Sequence, residues 1–209
     1  MDLSLLSSLI VEHDGDEVRE PSPPKYKWQA FLDRYMENLE DFERMYEKFP
    51  LERVRAISAR DRENIGDTPT LSYSEIEYES FGTLLLELQD FDLPPRASYY
   101  DLGAGVGKTV FAAYYLGIFN KCTGIEILPS LYRTCELTLR QFNIYNSFED
   151  FEKPDLHYLQ GDTTYIDWSA SADVVFSHCT CYDSTQMDRL GNMASRMKPA
   201  SFFICLSNR

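Results

Sequence analysis

The chain has 209 residues, of which 44% are hydrophobic and 26% are charged, a composition typical of globular rather than disordered proteins. Its formal net charge of −14 repels phosphate groups, which argues against free nucleic acid as a ligand and suits a basic partner. The apolar run at the N-terminus carries Asp2 instead of a basic leader and is too short to cross a bilayer. We therefore expect an intracellular protein, cytoplasmic or nuclear, with no membrane role.

The chain contains five cysteines, Cys122, Cys135, Cys179, Cys181 and Cys205. Their number is odd and none forms a Cys-x-x-Cys pair, so we expect reduced thiols. His178 lies next to Cys179 in the sequence, but no second pair of ligands follows at the spacing of a zinc finger. No metal site is predicted.

The first 24 residues are predicted to form a flexible segment, because an acidic patch is followed by the proline-rich stretch PSPP. From 25 to 49, apolar residues recur at three- and four-residue spacing, which predicts an amphipathic helix that ends at Pro50. A polar stretch at 58–70 separates it from a second helix predicted at 74–88. Residues 25–95 are therefore predicted to form a helical cap that packs its apolar stripe on the main domain.

From residue 96 onward, short strand-like runs alternate with longer helix-like segments. The predicted strands are 98–102, 122–127, 156–160, 173–177 and 201–206, and the predicted helices are 109–116, 129–145 and 184–197. This alternation predicts an α/β fold with a mainly parallel, doubly wound sheet built from right-handed βαβ units. The strand at 201–206 is predicted to leave an unpaired edge, since no further strand-like run follows it.

The first predicted strand runs into the glycine-rich stretch DLGAGVGKT at 101–109. A triphosphate-binding loop would need glycine where Leu102 stands, and a dinucleotide fingerprint would need glycine where Lys108 stands. The stretch does fit an acidic residue followed by glycine at alternate positions: Asp101, Gly103, Gly105 and Gly107. Such glycines permit a tight turn and let a ligand lie against bare backbone.

Acidic residues also end the next two predicted strands. Glu126 follows Asp101 by 25 positions, the span of one βαβ step, and Asp162 ends the third strand. The carboxyl ends of parallel strands form the ligand-binding crevice of open α/β sheets, and a carboxylate at the second strand can accept both hydroxyls of a ribose. The three acids are therefore predicted to define one binding site.

The spacing of Asp101 and the glycines resembles the first motif of class I S-adenosylmethionine-dependent methyltransferases. The resemblance implies a Rossmann-like core with S-adenosylmethionine as cofactor. It places Asp101 near the methionyl part, Glu126 at the ribose and Asp162 near the adenine amino group, and it leaves Lys108 pointing to solvent. The implied cofactor-binding residues are Asp101, Gly103, Gly105, Gly107, Thr109, Glu126, Ile127, Asp162, Thr163 and Ser177.

Residues 78–206 resemble the catalytic core of the non-SET histone lysine methyltransferases, the family named for disruption of telomeric silencing. The stretches DLGAGVGKTVFAA and GIEILPSLY carry the resemblance. It makes residues 96–209 the catalytic core, without the last antiparallel strands of the class. The family's aromatic-Gly-Glu element is matched by SFGTLL at 80–85, with Thr83 in place of glutamate. Its Asn-Asn-Phe loop is replaced by FSHCTCYD at 176–183.

The resemblance and the negative charge together predict methyl transfer to a lysine of a basic, histone-like protein. The candidates for aligning or deprotonating the amine are Ser177, His178 and Tyr182. Imidazole titrates near neutrality, although a loop histidine that is merely hydrogen-bonded fits the sequence equally well. Two alternatives stay open, a small-molecule methyltransferase and a catalytically degenerate module that binds S-adenosylmethionine. The sequence also leaves the oligomeric state open.

Overall fold

The computed structural model of the protein describes residues 10–12, 25–66, 69–88, 91, 93–94, 96–117, 119–145 and 155–206. Within these ranges the strands are β1 (Ile10–Glu12), β2 (Ser98–Leu102), β3 (Lys121–Glu126), β4 (Asp155–Gln160), β5 (Val174–His178) and β6 (Phe202–Leu206). The α-helices are α1 (Lys25–Tyr46), α2 (Leu51–Ile65), α3 (Tyr78–Glu87), α4 (Lys108–Tyr115), α5 (Pro129–Tyr145) and α6 (Ser184–Ala194).

The strands form one sheet in the order β1-β6-β5-β2-β3-β4. Strands β2 to β6 are mutually parallel, and β1 pairs with β6 in the antiparallel sense. From β2 the chain winds to β3 and β4 on one side and returns to β5 and β6 on the other. The order therefore reverses between β2 and β5, the position where open α/β sheets bind ligands. The predicted α/β, mainly parallel, doubly wound fold with N-terminal helices is confirmed.

Neighbouring residues of the central strands point to opposite faces of the sheet, so each strand contributes to two apolar clusters. Tyr99 lies in the cluster that also contains side chains of α1, α3, α4 and α5. Tyr100 lies in the smaller cluster on the other face, together with Trp168 and side chains of α6. The buried Trp168 stacks on Phe203 with ring centroids 5.8 Å apart, and its Nε1 donates to the backbone oxygen of Thr163 at 3.0 Å.

Helices α1 and α2 share the core of the sheet domain. Phe42, Tyr46 and Val54 are buried in the larger apolar cluster. The buried Asp61 of α2 accepts hydrogen bonds from the backbone N and the hydroxyl of Ser130, at 2.6 and 2.7 Å, at the start of α5. The sequence did not predict α2, because its many charged residues conceal a narrow buried stripe; half of the helix lies in the stretch that was taken as polar linker.

Several backbone features differ from the sequence-based expectation. Helices α1 and α6 each end three residues earlier than predicted, at Tyr46 and Ala194. Helix α3 begins at Tyr78, four residues later than predicted, and residues 72–77 before it belong to no helix or strand. The expectation of an unpaired edge at β6 is wrong, because Ile10–Glu12 pair with it. These three residues also form a strand inside the segment that was predicted to be flexible, and the rest of residues 1–24 lies outside the described residues.

A disulfide joins Cys179 to Cys205, so the expectation of reduced thiols is wrong for these two residues. Cys179 follows the end of β5, and Cys205 stands opposite Ser177 in the register of β5 with β6. The bond therefore ties together the ends of two strands that only the folded topology makes neighbours. Cys122 and Cys135 are buried free thiols, and Cys181 is an exposed one.

Replacing Cys205 with serine is expected to lower the free energy of unfolding by about 2–4 kcal/mol in the absence of reductant, because the disulfide closes a loop of 26 residues. Denaturant unfolding measures the change. Cys181→Ser, which removes an exposed free thiol, serves as the control and should change stability by less than about 0.5 kcal/mol. Equal stabilities of the native chain and Cys205→Ser without reductant would contradict the assignment of the bond.

Candidate active site

The glycine loop turns the chain from β2 into α4 through left-handed backbone. Gly103, Gly105 and Gly107 have φ angles of 91°, 59° and 84°, a region that favours glycine. The backbone nitrogens of Gly103 and Ala104 donate to the oxygen of Ile125 at 2.9 and 3.0 Å, which ties the loop to the end of β3. The loop thus lies between the two strand ends that carry Asp101 and Glu126.

Asp101 is 2% exposed and lies at the end of β2. Its Oδ2 accepts a hydrogen bond from the hydroxyl of Thr109, in the first turn of α4. Burial raises the pKa of Asp101 to about 7, and the hydrogen bond from Thr109 opposes that rise. The carboxyl is therefore placed so that a cation beside it would favour its ionised form.

Glu126 is 5% exposed and ends β3. Its two oxygens accept hydrogen bonds from the backbone nitrogens of Gly105 at 2.7 Å and Leu128 at 2.8 Å. Burial raises the pKa of Glu126 to about 7, the two backbone hydrogen bonds oppose the rise, and the negative charge of Asp101 adds to it. Each carboxylate oxygen has a second lone pair, so Glu126 can still accept from a ligand.

Residues 70–76, here called the strap, cross the glycine loop from outside the sheet. A methyl group built on Gly105 would come within 2.4 Å of the Tyr73 ring, so the ring lies directly on the loop. The Tyr73 hydroxyl donates to Glu75 Oε1 at 2.6 Å. The Ser74 hydroxyl lies 3.1 Å from Nδ1 of His178, at the end of β5.

Lys108 does not point to solvent, contrary to the expectation. Its ammonium forms an ion pair with Glu75 Oε2 at 2.7 Å, with side chains that are 23% and 16% exposed. It also lies 5.5 Å from the centre of the Tyr46 ring, within the range of a cation–π contact. The lysine of the Gly-Lys-Thr sequence therefore joins the loop to the strap.

The stretch SFGTLL at 80–85, which was matched to the family's aromatic-Gly-Glu element, lies in α3. Phe81 and Gly82 are buried in α3, where Phe81 packs on Phe176 with ring centroids 5.2 Å apart, and Thr83 donates to the backbone oxygen of Glu79. The sequence Tyr-Ser-Glu at 73–75 instead reaches the glycine loop. It has an aromatic residue and a glutamate at the right separation, with serine between them, and this spacing was the signal that could have found it.

The end of β5 brings His178 and Tyr182 to the same place. Burial lowers the pKa of His178, which favours its neutral form. Burial raises the pKa of Tyr182 to about 12, although its hydroxyl shares hydrogen bonds with Thr163 and Ser177. Ser177 is fully buried and donates to the backbone oxygen of Leu102 at 3.3 Å, so it supports Tyr182 from behind rather than lining a cavity.

The predicted adenine contacts at Asp162 and Thr163 are not brought into the cavities. Oδ1 of Asp162 accepts from the backbone nitrogen and the hydroxyl of Thr164, each at 2.8 Å, in a local turn. Thr163 is buried beneath Tyr182. Gly107 is also absent from the cavity walls, since its oxygen accepts from the Tyr158 hydroxyl at 3.3 Å. Roles for these three residues in cofactor binding stay predictions.

Two adjoining cavities open along the carboxyl edge of the sheet. The Asp101 cavity has about 350 Å³ of empty space including its open mouth, and its walls include Gly105, Lys108 and Thr109. The Glu126 cavity has about 470 Å³ of empty space, and its walls combine apolar or aromatic side chains with the polar Thr70 and Ser72; the former include Ile127, Leu128, Leu131 and Tyr182. The two cavities share four lining residues, Tyr73, Ser74, Gly103 and His178. They therefore form one crevice under the strap.

Two structural findings apply to the described part of the chain alone. No group of three or more His, Cys, Asp and Glu side chains there is arranged to hold a metal ion. No described helix has both the length and the apolar character needed to span a bilayer.

A switch-point crevice with a glycine loop, a carboxyl at the end of each of two adjacent strands and this sheet order is the arrangement by which Rossmann-like folds bind a nucleoside-containing cofactor. The family model described as "Histone methylation protein DOT1" matches residues 67–208, more than half of the chain. The chain belongs to this family, whose cofactor is S-adenosylmethionine.

Three solved structures are similar to this chain, and the first of them supports the fold. An S-adenosylmethionine-dependent methyltransferase from Clostridium acetobutylicum ATCC 824 superposes with a TM-score of 0.50 at 14% identity, covering 63% of this chain and 50% of that one. A second methyltransferase, from Thiobacillus denitrificans in complex with S-adenosyl-L-homocysteine, has a TM-score of 0.45 at 17% identity and covers 70% of this chain and 53% of that one. The plantazolicin methyltransferase BpumL in complex with SAH has a TM-score of 0.49 at 13% identity and covers 88% of this chain and 61% of that one. The chain thus spans 50 to 61% of these proteins. The search of curated proteins found no match.

The residues of the crevice suit S-adenosylmethionine chemically. Asp101 offers a buried carboxyl to a cationic group, and Glu126 keeps acceptor capacity for ribose hydroxyls. Ile127 and Leu131 supply an apolar wall of the kind that packs against a base. Gly103, which lines both cavities, leaves room for a ligand that extends from one into the other.

Gly105→Ala is expected to displace the Tyr73 ring, because the added methyl group would lie 2.4 Å from it. Affinity for S-adenosylhomocysteine, measured by calorimetry, should fall by roughly tenfold or more, since overpacking moves neighbouring atoms. Gly66→Ala is the matched control: Gly66 also has a positive φ, but nothing lies within 4 Å of its added methyl group. It should lose about 1 kcal/mol of stability and no affinity. Equal affinity losses in the two variants would contradict the contact.

The free energy of unfolding of the cofactor-free chain should fall as the pH rises from about 4 to about 7. The folded chain raises the pKa of Asp101 and of Glu126 to about 7, whereas these carboxyls ionise near pH 4 when unfolded, so the folded state holds more protons in this window. Asp101→Asn and Glu126→Gln should each remove about half of the decline. Thermal unfolding measures it, and Asp188→Asn controls for the loss of an exposed carboxylate. An unchanged decline in both site variants would refute the buried-carboxyl assignment.

Proposed function

We propose that this chain is an S-adenosylmethionine-dependent methyltransferase that methylates a lysine of a basic, histone-like protein. The observation that carries the methyltransferase assignment is the crevice that joins the carboxyls of Asp101 and Glu126 along the glycine loop. Family membership supports the substrate class. The chain would act inside the cell, in the nucleus or the cytoplasm, where such substrates occur.

Asp101 and Glu126 would hold the cofactor in the proposed reaction. Asp101 lies where an ammonium or sulfonium charge would compensate the cost of its burial, and Glu126 bridges the loop and β3. Bound S-adenosylmethionine supplies the electrophilic methyl group. The chain's own contribution is to fix orientation and to exclude water, since transfer of a methyl group is an in-line displacement.

His178 is the candidate proton acceptor. A lysine ammonium must lose a proton before its nitrogen can form a bond to carbon, and burial keeps the imidazole neutral near pH 7. The Ser74 hydroxyl lies 3.1 Å from Nδ1 and 3.5 Å from Nε2. In the tautomer whose Nδ1–H donates to Ser74, the lone pair of Nε2 would take that proton. Tyr182, which lines the same crevice, is placed to orient the amine through its hydroxyl.

The charge of the protein supports a basic protein substrate. A net charge of −14 attracts a lysine-rich segment and speeds its encounter with the crevice. Glu77 and Glu79 are exposed immediately after the strap, so part of that negative charge lies beside the site. The same charge argues against free nucleic acid as the acceptor.

The test is transfer of a labelled methyl group to core histones, nucleosomes and a metabolite extract in parallel. Incorporation into histone lysine is expected, and Asp101→Asn and Glu126→Gln should reduce it by roughly tenfold to a hundredfold, the effect of losing a charge-assisted hydrogen bond. Asp188→Asn, which changes the net charge equally at an exposed position, should retain activity.

Other outcomes would replace the proposal. Incorporation into metabolites but never into histones would favour a small-molecule methyltransferase. Calorimetric binding of S-adenosylmethionine without transfer to any acceptor would identify a degenerate binding module. Absence of both binding and transfer would reject the cofactor assignment itself.

A further inference from the structure

The strap is the part of the crevice that the chemistry above does not explain. Residues 72–77 form no helix or strand, yet residues 73 and 74 of the strap line both cavities. Leu71 and Ile76 of the strap pack against the larger apolar cluster. Further side-chain contacts join the strap to the site itself: the Tyr73 ring on Gly105, the Ser74 hydroxyl on His178, and the ion pair of Glu75 with Lys108.

The ion pair is the contact with the strongest physical constraint. Its side chains are 16% and 23% exposed, so the charges are screened less than those of a surface pair, and removing one partner leaves the other charge poorly solvated. Lys108 lies in the first turn of α4, a rigid element, and its ammonium sits between Glu75 and the Tyr46 ring. The fixed end of the contact is therefore Lys108, and the strap is the movable end.

Glu75 transmits this anchoring to both neighbours. Its second oxygen accepts from the Tyr73 hydroxyl at 2.6 Å, which holds the ring over Gly105. Ser74 stands between Tyr73 and Glu75, so fixing these two side chains fixes the backbone that presents the Ser74 hydroxyl to His178. A chain of contacts thus runs from Lys108 through Glu75 to the ring of His178.

We propose that Lys108 and Glu75 are positioning residues whose ion pair holds the strap closed over the crevice and sets the orientation of His178. The proposal rests on the proposed function, because His178 is the proton acceptor there. Neither residue has to touch the methyl group or its acceptor. Loss of the ion pair would leave the crevice formed but open on the strap side, with Ser74 no longer held against the imidazole.

Two variants separate this role from direct contact with the cofactor. Lys108→Met removes the ammonium and keeps an apolar stem against Tyr46. Glu75→Gln removes the negative charge but keeps an oxygen that can accept from Tyr73. If the ion pair anchors the strap, the two variants act alike. If Lys108 binds the cofactor directly, Glu75→Gln frees the lysine, and affinity is unchanged or improved.

The first measurement uses the full chain without cofactor, so it does not depend on the proposed function. Amide hydrogen exchange of residues 72–77 should accelerate by roughly tenfold or more in both variants, because local opening becomes easier. The nitrogen chemical shifts of the His178 ring should change as its partner Ser74 is released. Amide exchange in the double variant should be no faster than in the more affected single variant, since the two residues act as one unit.

The second measurement is calorimetric titration with S-adenosylhomocysteine. Both single variants should weaken binding by roughly tenfold, and Lys108→Arg, which can still pair with Glu75, should restore most of the affinity and slow exchange in the strap. Lys198→Met is the matched control, because Lys198 also forms an ion pair, 2.5 Å from Asp173. Asp173 precedes the first residue of β5, so this pair lies at the end of the strand opposite His178. Lys198→Met should leave strap exchange and affinity unchanged.

The outcomes are decisive in each arm. Unchanged strap exchange in both single variants would overturn the proposal, as would weakened binding in Lys108→Met with normal binding in Glu75→Gln. If the native chain binds no S-adenosylhomocysteine, the proposed function fails, while exchange and the His178 ring shifts still decide whether the ion pair anchors the strap. Glu75→Gln, which keeps the shape of the side chain, decides the question if Lys108→Met does not fold.

Discussion

The burial of two carboxyl groups at one edge of the sheet is the constraint on which the rest of the site depends. Removing a carboxylate from water is unfavourable unless hydrogen bonds or an opposite charge compensate for it. The chain provides neutral donors, the hydroxyl of Thr109 and the backbone amides of Gly105 and Leu128. The left-handed turns of the glycine loop bring the backbone N–H of Gly105 to Glu126. The buried carboxyl therefore depends on the conformation that glycine allows at this position.

The same two carboxyls also determine which ligand suits the crevice. Neutral donors compensate burial less well than a positive charge does, and the raised pKa values of Asp101 and Glu126 are the consequence. A ligand that carries both a cationic centre and hydroxyl groups completes the set of partners that the carboxyls lack. The electrostatics of the two carboxyls are thus consistent with the cofactor that the family uses.

The sequence was sufficient for the parts of the fold that repeat a local rule. Strand β2 and helix α5 have the predicted bounds, since β2 is a short buried run that ends at the glycine loop and α5 has a 3.6-residue apolar period. The strap, the ion pair of Lys108 and the disulfide were missed, because each joins residues that are distant in the chain and lack a periodic pattern. Helix α2 was missed for a different reason: its buried stripe is narrow and includes the polar Ser58 and Asp61 beside Val54, so no apolar period stands out in the sequence.

The candidate site likewise contains residues that the sequence predicted and residues whose side-chain positions it did not. Asp101, Glu126, His178 and Tyr182 were found because they stand at strand ends, where the topology of a parallel sheet gathers side chains. The positions of Asp162 and Ser177 could not be predicted beyond the strand, since local hydrogen bonds turn these side chains toward Thr164 and Leu102. A strand end predicts the neighbourhood of a residue, and the direction of its side chain depends on contacts that only the folded chain defines.

The part of the chain by which the family is recognised is smaller than the part that folds together. The family match begins at residue 67, after α1 and α2, yet Tyr46 donates to the backbone oxygen of Val106 in the glycine loop at 3.3 Å. Strand β1, still further upstream, covers the edge of β6. A polypeptide reduced to the matched residues would expose that edge and the apolar surface beneath Phe42 and Val54 to water. The N-terminal helices therefore support the glycine loop from outside the region that the family model matches.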